Sequence, residues 1–192
     1  MKKSLLAVLL VAALVLPVVP TFAAEEGQMD LDIKIGFNLM SNAKIDDFDV
    51  DESVDTAFAA GLNFFYFVMP ELAIGAGVDY VFNSKVNNSP IKAGWTNLYV
   101  QGKYVFDTGN DVFNNVYPLL QIGLGVLRVD PDDNLDTESG LYWGIGVGTT
   151  IKENFLVELL YSQNKAKLKS GPMSTDLKYS TMQFKVGYKF NF

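Results

Sequence analysis

The chain has 192 residues, with 15 Lys and Arg against 22 Asp and Glu, a net charge of −7, and neither cysteine nor histidine. That size and acidity argue for a single domain and against a nucleic-acid partner, because phosphate binding needs clustered Lys and Arg. No disulfide can staple the fold, and the side chain best suited to proton transfer near neutral pH is missing.

In chain order, residues 1–23 come first. Lys2 and Lys3 precede an apolar run from Leu5 to Val19, and Thr21, Phe22 and Ala23 make a small-residue exit. This pattern predicts a signal peptide that is cleaved on export, with Pro17, Pro20 and the short run arguing against a retained helical anchor. Residues 24–192 are then the mature domain.

From there the pattern is alternation. In "LDIKIGFNL", Leu31, Ile33, Ile35, Phe37 and Leu39 share one face, and Asp32, Lys34, Gly36 and Asn38 share the other. The same period of two predicts strands near 56–68, 72–82, 95–106, 117–128, 141–151, 155–164 and 179–192. The connections alternate between long ("SNAKIDDFDVDESVD", "NSKVNNSPIKAG", "DPDDNLDTESG", "KAKLKSGPMSTD") and short ("MPE", "KEN"), with an intermediate "DTGNDVFNN". Eight strands with long loops on one rim and short turns on the other predict an all-β fold, an antiparallel up-and-down barrel.

The polar face decides what surrounds the barrel. A solvated exterior would be rich in Lys, Glu and Asp, whereas here that face carries Gly75, Gly77, Gly123, Gly125, Gly144, Gly146 and Gly148, as a crowded lumen requires. Aromatic residues collect toward the two rims. Phe64, Tyr66, Tyr104, Phe106, Phe155, Phe190 and Phe192 lie by the short turns, and Tyr80, Phe82, Trp143 and Tyr161 lie by the long loops. Such girdles belong at membrane interfaces, so the barrel is expected to be transmembrane.

The last residues, Lys185-Val186-Gly187-Tyr188-Lys189-Phe190-Asn191-Phe192, resemble the assembly signal of the small eight-stranded outer-membrane barrels of the OmpX and OmpA type: polar-x-Gly-x-x-aromatic-x-aromatic. The resemblance implies an outer-membrane location among outer-membrane lipids. It also implies recognition of Lys185, Gly187, Phe190 and Phe192 by the barrel-assembly machinery during biogenesis. The expected role is structural or interactive, a matter of envelope integrity or surface contact through the loops, in a monomer. Two alternatives are a channel for small or hydrophobic solutes and a soluble periplasmic ligand-binding barrel.

No enzyme is expected. Similar barrels that modify lipid A use a histidine beside a serine or an acid, and "GIGVG" at Gly144–Gly148 lacks the strand-to-helix setting of a nucleotide loop. No catalytic residue, cofactor or metal ligand is assigned. By phase, Asp32, Lys34, Asp79, Lys103, Glu158 and Lys185 point inward, and since buried charges must be paired they are expected to form a lumenal network, with Glu158 meeting Lys103 or Lys185. Two loops are acidic, through Asp46, Asp47, Asp49, Asp51, Glu52 and Asp55, and through Asp130, Asp132, Asp133, Asp136 and Glu138. They read as solvated charge runs open to a surface ligand; "DPDDNLDTE" also has the alternating oxygen ligands that divalent cations favour, without the glycine and spacing of a calcium hand. The basic Lys165, Lys167 and Lys169 are placed to pair with them or with anionic headgroups.

Overall fold

Alternating side chains force a two-faced strand, and a row of two-faced strands buries its edges only by closing. The chain does close. In a computed structural model describing residues 24–45, 50–85, 92–130, 136–170 and 173–192, eight long strands form one antiparallel sheet: β1 (Met29–Ile45), β2 (Phe58–Met69), β3 (Leu72–Lys85), β4 (Lys92–Tyr104), β5 (Phe113–Asp130), β6 (Gly140–Ile151), β7 (Phe155–Ser170) and β8 (Met173–Asn191). Each pairs with its neighbours in chain order, and β8 returns to β1 in register from Asp30↔Asn191 to Ile45↔Leu177. Beyond the ladder, the amide and carbonyl of Phe192 bond those of Met29, at 2.9 and 3.2 Å, so the final residue finishes the seam.

The phase is the one the sequence sets. Asp32, Lys34 and Asn38 are buried, while Ile33, Ile35, Phe37 and Leu39 are exposed on the outer wall. Ile35 and Leu98 are each 63% exposed and Phe58 71%, within an apolar outer surface that runs over every strand. A water-soluble protein does not carry an apolar exterior of that extent around a polar interior, which excludes the soluble periplasmic alternative. No helix among the described residues is long and apolar enough to cross a membrane, and closed strands make the crossing here.

The strands are longer than the alternation alone indicates. They run 12 to 19 residues, against the roughly 9–11 needed to cross a bilayer at a tilt. The excess rises on the long-loop side. Residues 165–170 and 173–176, expected as a loop, belong to β7 and β8, which pair from Phe155↔Tyr188 to Ser170↔Met173. The outward Lys165 and Lys167 are exposed, so this stretch lacks the apolar outer face by which the other strands are read, yet antiparallel backbone pairing needs no apolar face. On the short-turn side, β2 and β3 are joined through Pro70 and Glu71. Lys152 and Glu153 between β6 and β7 adopt positive φ, at 47° and 69°.

Candidate functional site

The lumen is the site the sequence points to. All six residues expected in it are buried: Asp32 on β1, Lys34 on β1, Asp79 on β3, Lys103 on β4, Glu158 on β7 and Lys185 on β8. Two further charges join them, Asp30 and Lys189, both in the inward phase of strands already read. Among the described residues the interior therefore holds four acids and four bases, with no net charge.

The pairing differs from the expected one. Glu158 meets neither Lys103 nor Lys185; its carboxylate accepts from Lys34 Nζ at 2.8 and 3.0 Å and from Tyr117 Oη at 2.9 Å. Lys185 donates to Asp79, and Lys103 to Asp30 at 3.4 Å. Glu158 and Lys185 are direct cross-strand neighbours, so proximity along the sheet did not decide the matter. Glycines did. Lys34 faces Gly187 across the β1–β8 seam, and Gly36 faces Lys185. A Cβ on Gly187 would stand 2.6 Å from Lys34 Cγ, and one on Gly36 would stand 2.8 Å from Lys185 Cγ. Each lysine stem lies flat over the glycine opposite, so Lys34 passes over β8 to reach Glu158 while Lys185 turns across the lumen to Asp79. Gly187 thus has a packing duty besides its place in the terminal motif.

Two further inner glycines make room for rings. A Cβ on Gly148 would lie 2.5 Å from the Tyr117 ring, and one on Gly77 would lie 2.6 Å from the Tyr99 ring. Those rings carry the polar web onward. Tyr99 Oη donates to Asn63 at 2.7 Å, Tyr142 Oη to Gln121 at 2.6 Å, and Gln121 to Gln101 at 3.1 Å. Sequence reasoning placed small and polar residues inside and missed these aromatics. The signal was present, because Trp95, Tyr99, Tyr117 and Tyr142 share the inward phase with Asn97, Gln101 and Gln121.

Apolar packing flanks the charges. Toward the turns, Phe65, Phe67, Val105, Tyr117, Leu119 and Leu156 cluster, and Lys103 Nζ sits 3.9 Å from the Phe65 ring centre. Toward the loops, Ala57, Ala59, Val81, Trp95, Leu127, Ala166 and Tyr179 form a second cluster, with Trp95 stacked on Tyr179 at 5.8 Å. This layer separates the loop rim from the buried charges of the lumen. One charge is less well served: both carboxylate oxygens of the buried Asp32 lack a hydrogen-bond partner.

Of the acidic loops, Asp46, Asp47, Asp49, Asp132 and Asp133 lie outside the described residues. Asp136 and Glu138 lie on a short strand whose register sets Asp136 opposite Lys169 and Glu138 opposite Lys167, which brings the acidic third loop against the basic fourth. No group of three or more metal-ligating acids gathers among the described residues. The terminal Lys185 and Gly187 face the lumen, while Phe190 and Phe192 face outward.

The profile of the family described as "Outer membrane protein beta-barrel domain" matches residues 5–190, and the chain belongs to that family. No curated protein matches it. Among solved structures, the chain is similar to Neisserial surface protein A, with 17% identity and a TM-score of 0.53 over 86% of this chain and 100% of that one. It is also similar to the outer membrane protein OprG from Pseudomonas aeruginosa, with 14% identity and a TM-score of 0.51 over 90% and 99%. A third likeness is to the outer membrane protein AlkL in DMPC lipid bilayers, with 14% identity and a TM-score of 0.52 over 91% and 94%. At such identities the likeness is one of fold.

Proposed function

We propose that this member of the outer-membrane barrel family is a closed, non-conducting barrel that serves envelope integrity and surface contact through its loops. The observation that carries the reading is the filled lumen: three ion pairs are held among aromatic rings and covered on the loop side by the Trp95–Tyr179 layer. Eight strands enclose little more than their own side chains, and paired charges in so narrow a space hold the walls together rather than line a conduit. No residue is assigned a catalytic role.

The reading includes its address and assembly. Residues 1–23 are removed on export, the assembly machinery recognises the end of β8 by edge pairing, and the mature chain works as a monomer with the long loops outside and the short turns toward the periplasm. The loops then meet their partners with an acidic strand braced against the lysines of β7. The apolar lining of the loop-side mouth favours one second reading, entry of a small hydrophobic solute against Trp95.

Single-channel recording separates these. Mature protein refolded into a planar bilayer, with folding verified by a heat-modifiable gel shift, is expected to stay silent. Discrete, reproducible openings would overturn the closed-barrel reading.

A further inference from the structure

All but one of the described strand glycines are explained by their neighbours, because a Cβ built there would meet another atom at 3.2 Å or closer. Gly94 shows this on the outer wall. The Arg128 guanidinium lies across it, donating from Nη2 to the Val81 and Trp95 carbonyls at 2.6 and 3.2 Å. Gly102 is the exception. It shares the outward phase of β4 with the exposed Leu98 and Val100, and a Cβ there would meet only the Ala73 carbonyl, at 3.8 Å. No described residue uses the space that its missing side chain leaves.

The surrounding wall turns that space into a groove. The register sets Ile74 and Leu120 on either side of Gly102, and in the next row it sets Ala76 between Phe64 and Val100. Together with Tyr66 they line a groove of about 600 Å³ that holds no charged side chain. Its place limits its occupant. It opens on the apolar exterior that faces hydrocarbon, and an apolar hollow gives water too few hydrogen-bond partners to fill it. A second barrel is convex and would touch this wall along a line. A flexible hydrocarbon chain follows a hollow and gains dispersion contacts along its whole length. Tyr66 belongs to the turn-side aromatic girdle, where rings meet headgroups.

We propose that this groove holds one acyl chain of a membrane phospholipid as a resident lipid, the chain lying over Gly102 and Ala76 and the headgroup beside Tyr66 at the turn-side rim. The leaflet that supplies it follows from the orientation proposed above. The site itself does not, nor does it depend on whether the lumen conducts.

Photolabelling of the refolded full-length mature barrel tests this, in phosphatidylcholine vesicles containing a trace of phosphatidylcholine with a diazirine in one acyl chain. Mass-spectrometric mapping is expected to find Val100 and Leu120 labelled about fivefold more often than the exposed Ile33 and Val186 on the opposite wall. Gly102→Leu fills the groove with an apolar side chain at a lipid-facing position. It should bring labelling of Val100 and Leu120 down to the level of the opposite wall, and Ala76→Leu should act alike. Heat-modifiable mobility checks that each variant is folded. Even labelling around the barrel, or labelling of Val100 and Leu120 undiminished in both filled variants, would overturn the assignment. So would a chemically cross-linked dimer that Gly102→Leu disperses, which would give the groove to a second copy of the chain.

Discussion

Replacing Glu158 by Gln removes one charge and almost no volume from the centre of the lumen. The carboxylate is 2% exposed and bonds both Lys34, at 2.8 and 3.0 Å, and Tyr117. Unit charges about 2.8 Å apart attract by roughly 6 kcal/mol at an effective dielectric near 20. The glutamine escapes the penalty of burying a carboxylate and still accepts from Tyr117, which offsets part of that loss. Lys34 is left buried, with an amide where its counter-charge stood. Breaking one side of a buried pair in this way costs about 3–5 kcal/mol, whereas replacing both partners by apolar groups of similar volume is often neutral or better. Glu158→Gln is therefore expected to lower stability by about 3 kcal/mol, and the double variant Lys34→Met with Glu158→Leu to fall within about 1 kcal/mol of wild type. Equilibrium urea unfolding in lipid vesicles, followed by the fluorescence of Trp95 and Trp143, measures both. A loss below about 1 kcal/mol for the single change, or a double variant as unstable as the single one, would refute the claim that Glu158 is the counter-charge on which the buried Lys34 depends.

Gly187→Ala should destabilise the refolded barrel by about 1–3 kcal/mol, because the added Cβ meets the Ile33 carbonyl at 2.5 Å and the Lys34 stem at 2.6 Å. Urea unfolding without any assembly factor separates this packing role from recognition, and an unshifted midpoint would assign Gly187 to recognition alone. Lys152→Gly relieves a left-handed residue at φ 47° and is expected to gain about 0.5 kcal/mol. Lys152→Pro forbids that φ and removes the amide bonded to Val112, so its unfolding midpoint should drop well below wild type. Deleting Phe192 takes away its two backbone bonds to Met29 at the seam. In cells, fractionation should find the protein retained in the periplasm, whereas an undiminished outer-membrane yield would dismiss the terminal aromatic as a signal.

The membrane face was legible residue by residue. Hydrocarbon admits only apolar side chains, so Ile33, Ile35 and Phe37 alternate with Asp32, Lys34 and Gly36, and that single period fixed both the strands and the inward set. The turn chemistry of "MPE" and "KEN" likewise fixed which rim is short. Asp30, Lys189 and the inner tyrosines were recoverable from the same phase and needed only its consistent extension.

What the linear chain determined is therefore which side of the wall each residue occupies, because a strand's pleat assigns faces locally, two residues at a time. Only the closed barrel decided which inward groups meet. Lys34 reaches Glu158 over Gly187, and Lys185 reaches Asp79, because closure brings β1 against β8 and sets strands from distant parts of the chain across a lumen one side chain wide.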